Sequence, residues 1–204
     1  MKNNDVTRRG FIGLAAMIGA GLATGALAQD ALPVKASSNA AQIYLLRGFG
    51  DVFSAGLDEM AATLKQSGLP ATVLNHSGWE SVANKIIKAR ADGNRGPVIL
   101  IGHSLGANAV TVMAAELAER NIPVNLLVAL AATAPRPLTP NVRKAVSYYY
   151  SHGGWGRPLT GGKGFRGSLT NEDFADVADA GHFSIDKRQA VQQEIIGMVR
   201  RAAG

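Results

Sequence analysis

The chain contains no cysteine, which excludes disulfide staples, thiolate metal sites and lipidation at an N-terminal cysteine. Folding is therefore independent of any redox compartment. Aromatic residues are scarce, at 6% of the chain, and none is interleaved with a basic run. The stacking and phosphate-binding surfaces of nucleic-acid readers are thus missing, and no nucleic-acid partner is expected. Charged residues make up only 18%, and the formal charge of +6 falls to +4 once Lys2, Asp5, Arg8 and Arg9 are set aside with residues 1–28. The histidines are scattered, without paired spacing or a carboxylate cluster, so no metal is implied. Neither phosphate-cradling glycine string stands at a strand–helix junction, and no cofactor is called for. What is present is a chain of 204 residues, 47% hydrophobic, long enough for one domain with a sizeable core.

Residues 1–28 read as an export signal. Thr7-Arg8-Arg9-Gly10-Phe11-Ile12 leads into an apolar run rich in glycine and alanine that ends Ala26-Leu27-Ala28. A basic start, a modest apolar stretch and an A-x-A ending are the parts of such a signal. The paired arginines resemble the twin-arginine signal, although Gly13 stands where a basic residue is often found. That resemblance implies a bacterial protein exported already folded, a twin-arginine export machinery as partner, and a periplasmic or secreted location. The alternative is an uncleaved membrane anchor, for which the run is short and glycine-rich. Residues 29–41, with Pro33 and Ser37-Ser38-Asn39, read as a linker, and 42–204 as the domain.

From Gln42 onward apolar runs and helical periods alternate. Strands are expected at Ile43–Leu46, Ala71–Leu74, Val98–Ile101, Asn125–Leu130, Ala145–Tyr150 and Phe174–Ala178. Helices are expected from Ser54 to Gln66, from a capping box at Ser77-Gly78-Trp79-Glu80 to about Arg90, from Ser104 to Arg120, and from Ile185 to Ala202 under an Asp186 cap. Residues 152–168 read as a loop. This alternation predicts an α/β fold, a mostly parallel sheet with helices on both faces.

The chemistry-bearing motif is Gly102-His103-Ser104-Leu105-Gly106, between an unbroken apolar strand and a long helix. A serine on so sharp a turn brings backbone too close for a Cβ on either side, so glycine is needed at both flanks. The turn lifts the hydroxyl above the sheet at a helix N-terminus, where developing negative charge is favoured. The competing view is a plain strand–turn–helix corner in which Ser104 only caps the helix.

Gly102 to Ala107 in that setting resembles the α/β-hydrolase superfamily, and the lack of length for a cap makes the chain similar to small, lid-poor bacterial lipases and esterases. The resemblance covers nearly all of residues 42–202. It implies Ser104 as nucleophile and, in Gly181-His182-Phe183 after the last strand, His182 as base. Arg47-Gly48-Phe49-Gly50 matches the H-G-x-G loop of such lipases with Arg47 in place of histidine, which implies the Phe49 and Leu105 amides as oxyanion donors. His103 is expected to point away from the site, and His76 and His152 to be solvated loop residues.

The third member of the triad departs from the family pattern. Neither Leu130-Ala131-Ala132-Thr133-Ala134-Pro135 nor Tyr150-Ser151-His152-Gly153-Gly154, the two places where relatives keep an acid, offers a carboxylate. Asp179, Asp176 and Asp51 are distant candidates and Asp186 reads as a helix cap, so the acid is unknown; a backbone carbonyl or solvent would then orient His182. The glycine-rich loop Gly153–Gly167, with Trp155 and Phe165, reads either as a flap lining an acyl pocket or as a plain surface loop. The expected activity is hydrolysis of a small-molecule acyl ester, thioester or lipid through an acyl-enzyme. Two rivals stand beside it: a protein that binds an acyl or lipid ligand without turnover, and an acyl transferase.

Overall fold

Six runs of sequence form strands: β1 (Gln42–Arg47), β2 (Ala71–Asn75), β3 (Val98–His103), β4 (Leu126–Leu130), β5 (Lys144–Tyr149) and β6 (Ser168–Asp173), the first five carrying apolar side chains that are covered on one or both faces. The structure, a computed structural model, describes residues 39–204 apart from Asp51 and Gly154. The export signal and nearly all of the linker lie outside the described residues. The strands make one sheet in the order β2-β1-β3-β4-β5-β6, with every pair parallel. Parallel neighbours require crossovers, and three helices supply those from β1 through β4: α1 (Ala55–Gln66), α2 (Trp79–Ala91) and α3 (Leu105–Ala118); α4 (Gln189–Ala203) follows β6.

Successive side chains of a strand point to opposite faces, and the two cores follow that period. Ile99 and Ile101 of β3 join Ile43 and Leu45 of β1 beneath α1 and α4. Val98 and Leu100 join Leu127 and Ala129 of β4 beneath α2 and α3. Every residue of β3 and β4 is buried, as central parallel strands require. The chain leaves β1 toward β2 and then returns to place β3 on the other side of β1. The crevice beyond the carboxyl ends of β1 and β3 is therefore the topological switch point, where open α/β sheets place ligands.

Four sequence expectations need correction. The last strand is Ser168–Asp173, not Phe174–Ala178, which forms turns after it. As an edge strand it is mostly exposed and polar, so it lacks the apolar run that betrays the others. The proposed capping box at Ser77 is instead a short 3₁₀ turn, His76–Gly78, capped by Asn75, whose side chain accepts the Ser77 N–H; α2 starts behind it with no side-chain cap. Asp186 does not cap its own helix. It sits in a 3₁₀ turn, Ile185–Lys187, and its Oδ2 accepts the Gly56 N–H, 2.9 Å away in the first turn of α1. Finally, α3 ends at Ala118, and Asn121 takes a left-handed φ of 54° just beyond it.

Candidate active site

The end of β3 turns abruptly into α3 at Ser104, which has φ 56° and ψ −119°. A left-handed φ in a non-glycine residue is strained and persists only where its surroundings impose it. Here they do. A Cβ on Gly102 would lie 2.2 Å from the Gly106 carbonyl oxygen, and one on Gly106 would lie 1.9 Å from that of Leu46. Both flanking glycines are therefore steric necessities, as the motif predicted. Although Ser104 occupies the N-cap position of α3, its side chain makes no capping hydrogen bond. Its Oγ instead lies 2.8 Å from His182 Nε2.

His182 is 8% exposed and comes from the loop between β6 and α4. Its Nδ1 lies 2.6 Å from the backbone carbonyl of Trp155. A carbonyl oxygen can only accept, so Nδ1 carries the hydrogen and Nε2 presents a lone pair to the Ser104 hydroxyl. The tautomer needed by a general base is thereby set without a carboxylate. Trp155 belongs to the loop after β5, one of the two places where an acid was sought. The other, after β4, is filled by Thr133, whose amide and hydroxyl are both bonded to Asn108 of α3.

The carbonyl is held in place by its neighbours. Arg157 N–H donates to the Ala132 carbonyl at 2.6 Å, and Tyr150 N–H to that of Gly156 at 3.3 Å. A Cβ on Gly156 would lie 3.0 Å from Ala131 Cα and 3.1 Å from the Tyr150 ring. No sequence motif announces a main-chain acceptor; the small residue at 156 is the nearest thing to a signal. Asp176 is exposed and faces His152 at 3.4 Å, the two ring nitrogens of His182 are bonded to Trp155 and Ser104 and not to Asp179, and Asp51 lies outside the described residues.

The loop after β1 closes the other side. Gly48 stands against the nucleophile, since a Cβ on it would lie 2.9 Å from Ser104 Cβ. Arg47, which replaces the histidine of the H-G-x-G pattern, forms an ion pair with Asp58 of α1. Leu105 opens α3, and the first amides of a helix have no partner within it. The Phe49 and Leu105 amides thus come from the two segments that flank Ser104. His103 does not merely point away: it is 1% exposed and bridges Ser54 to the His182 backbone. His76 is likewise more than a solvated loop residue, with Nδ1 3.3 Å from the Gly48 carbonyl.

Above Ser104 opens a cavity of about 310 Å³ lined by Phe49, Phe53, Leu105, Thr133, Trp155 and Phe183 among others. Phe49, Phe53, Trp155 and Phe183 are the exposed large hydrophobic residues among those described, and all four border this one opening. Phe183 packs against Phe53 with ring centroids 5.1 Å apart and against Trp155 at 6.2 Å. Of the two aromatic residues in the glycine-rich loop, Trp155 borders the cavity while Phe165 packs on the core beneath α2 and α3.

The model of the serine hydrolase family matches residues 59–150, a stretch that holds Ser104 and ends before His182. No curated protein matches the chain. Among solved structures, the type II thioesterase BorB from the borrelidin biosynthetic cluster superposes with a TM-score of 0.53 at 16% sequence identity, over 81% of this chain and 93% of that one. The chain is thus similar to serine hydrolases through its central segment, and its architecture is an α/β-hydrolase-like fold.

Proposed function

We propose that the chain is a serine hydrolase that cleaves an ester or thioester with an apolar acyl group through an acyl-enzyme on Ser104. The observation that carries this reading is the strained Ser104, with its hydroxyl 2.8 Å from an imidazole whose other nitrogen is pinned by the Trp155 carbonyl. A serine hydroxyl is a poor nucleophile until such a base takes its proton. In the first half-reaction Ser104 Oγ attacks the acyl carbon and His182 Nε2 receives the hydroxyl proton. The tetrahedral oxyanion sits between the Phe49 and Leu105 amides, each such donor being worth about 3 kcal/mol in comparable sites. Collapse expels the alcohol or thiol, which takes the proton from His182. Water then enters, His182 removes its proton, and the second collapse releases the carboxylic acid and restores Ser104.

A carbonyl supplies the orienting half of the acid's work but not its full negative charge. Loss of the carboxylate's contribution can cost ~10⁴ in kcat in serine proteases, so turnover is slower here than with a charged third member. The apolar lining and aromatic rim favour a hydrophobic acyl chain over a charged one. Export by a twin-arginine machinery to the periplasm or exterior belongs to the same proposal and rests on residues 1–28 alone.

The test is labelling of the purified chain with a fluorophosphonate probe, alongside Ser104→Ala and His182→Ala. Stoichiometric labelling of the wild type that both variants lose is the expected result. A folded wild type that fails to label would overturn the hydrolase reading in favour of a non-catalytic acyl-binding protein.

A further inference from the structure

His103 lies between the nucleophile's strand and two loops that must act together. Its Nε2 is 2.6 Å from the His182 carbonyl oxygen and its Nδ1 is 2.8 Å from Ser54 Oγ. The same Ser54 oxygen accepts the Gly48 N–H at 3.0 Å. The direction of each bond follows from chemistry. The carbonyl only accepts, so the hydrogen of His103 is on Nε2. Burial pushes the imidazole pKa down to about 4, and the ring is neutral at ordinary pH. Nδ1 is therefore a lone pair, the Ser54 hydroxyl hydrogen points to it, and the hydroxyl oxygen is left free to receive the Gly48 amide. All three hydrogen bonds are buried.

We infer that His103 and Ser54 are a positioning pair that locks the oxyanion loop to the loop of the base, so that the Phe49 amide and His182 are held in one fixed relation to Ser104. This inference rests on the hydrolase reading above. Gly48 is the residue before the Phe49 amide, and the Gly48 carbonyl lies in one planar peptide unit with the Phe49 N–H. His76 Nδ1 meets that carbonyl at 3.3 Å from one side while Ser54 holds the Gly48 N–H from the other. In a trans peptide the carbonyl and the following N–H point in opposite directions, so a partner on the carbonyl also fixes the aim of the amide. At the far end, the peptide held by His103 Nε2 is that of His182 itself. A shift in either loop is transmitted through two side chains to the other. Neither His103 nor Ser54 needs to touch the reacting atoms.

The experiment compares Ser54→Ala, His103→Gln and the double variant in an ester assay, with the fraction of active sites titrated by fluorophosphonate. His103→Gln keeps a donor near the position of Nε2 and removes the acceptor at Nδ1, so both single changes cut the same link at different ends. Each should lower kcat per titrated site about 10- to 100-fold, a fraction of the 10²–10³ seen on losing an oxyanion donor outright. KM should stay within about twofold, and the double variant should be no worse than the poorer single one. A merely structural role would lower the titratable fraction and leave kcat per site at the wild-type value; that result, or multiplicative losses in the double variant, overturns the inference. A wild type that is not labelled at all defeats the hydrolase reading instead, which separates the two failures.

Discussion

Two residues that never meet substrate through a reactive side chain decide how Ser104 can work. Trp155 serves through its carbonyl, and Gly156 through having no side chain. These roles can be separated, because a side-chain change at Trp155 leaves the acceptor in place. Trp155→Ala should raise KM severalfold for esters of long apolar acids by removing part of the aromatic rim. It should depress kcat less than Gly156→Ala does. In the latter variant the new Cβ meets Ala131 Cα at 3.0 Å and the Tyr150 ring at 3.1 Å, and the peptide bearing the Trp155 carbonyl must move off His182. A kcat loss of roughly 10-fold or more, with KM little altered, is expected for Gly156→Ala, since small misplacements of a base are costly. Steady-state kinetics over a series of p-nitrophenyl esters measures both. If Trp155→Ala proved the more damaging to kcat, the ring and not the carbonyl would be what the base depends on.

At the level of elements, the sequence was legible wherever physics writes into side-chain pattern. Val98–Ile101 had to be a strand because nothing polar interrupts it, and Ser104 had to sit on a turn because both flanking glycines are needed. His182 was legible from its place after the last strand and before the last helix. Edge strand β6 escaped because Leu169 is the only apolar residue in Ser168–Asp173, and the Trp155 acceptor escaped because every residue type carries a carbonyl. Asp186 looked like a local cap because sequence shows only near neighbours; its real partner, Gly56, is 130 residues away. The price of that long-range tie is a buried carboxyl, 0% exposed, whose Oδ1 has no hydrogen-bond partner among the described residues. Burial raises its pKa from 3.8 to about 6, against the favourable Gly56 N–H bond. Between those two values the native state holds the proton that the unfolded chain has released, so this group's contribution to stability falls as pH rises from about 4 to 6 and stays low above it. The size is of order 3 kcal/mol. Asp186→Asn keeps an acceptor for Gly56 and cannot ionise. Its unfolding temperature, followed by circular dichroism, should exceed that of the wild type at pH 7–8 and converge with it near pH 4. A gap that widens toward acid would contradict the raised pKa.

For the molecule as a whole, the proposed export of a finished fold can be set against the order of the sheet. The first strand among the described residues, β1, is not at an edge but lies between β2 and β3, and its end supplies the Gly48 loop. The sheet cannot be completed, nor the site assembled, until that strand is in place. A sheet that must engage its first described strand centrally suits the proposed export route, which accepts finished folds, and the absence of cysteine means that no oxidising compartment is needed to finish it. Replacement of Arg8 and Arg9 together by lysine removes the pair that a twin-arginine machinery reads while leaving charge and hydropathy almost unchanged. Expressed in a Gram-negative host, the wild type should yield fluorophosphonate-reactive protein in the periplasmic fraction. The double lysine variant should leave the same reactive protein in the cytoplasm, folded and labelled there because nothing in the sheet depends on transport. Undiminished periplasmic export of the variant would show that the arginine pair is not the address. Cytoplasmic protein that is present but unreactive would show that the fold is completed only after export, contrary to the argument from β1.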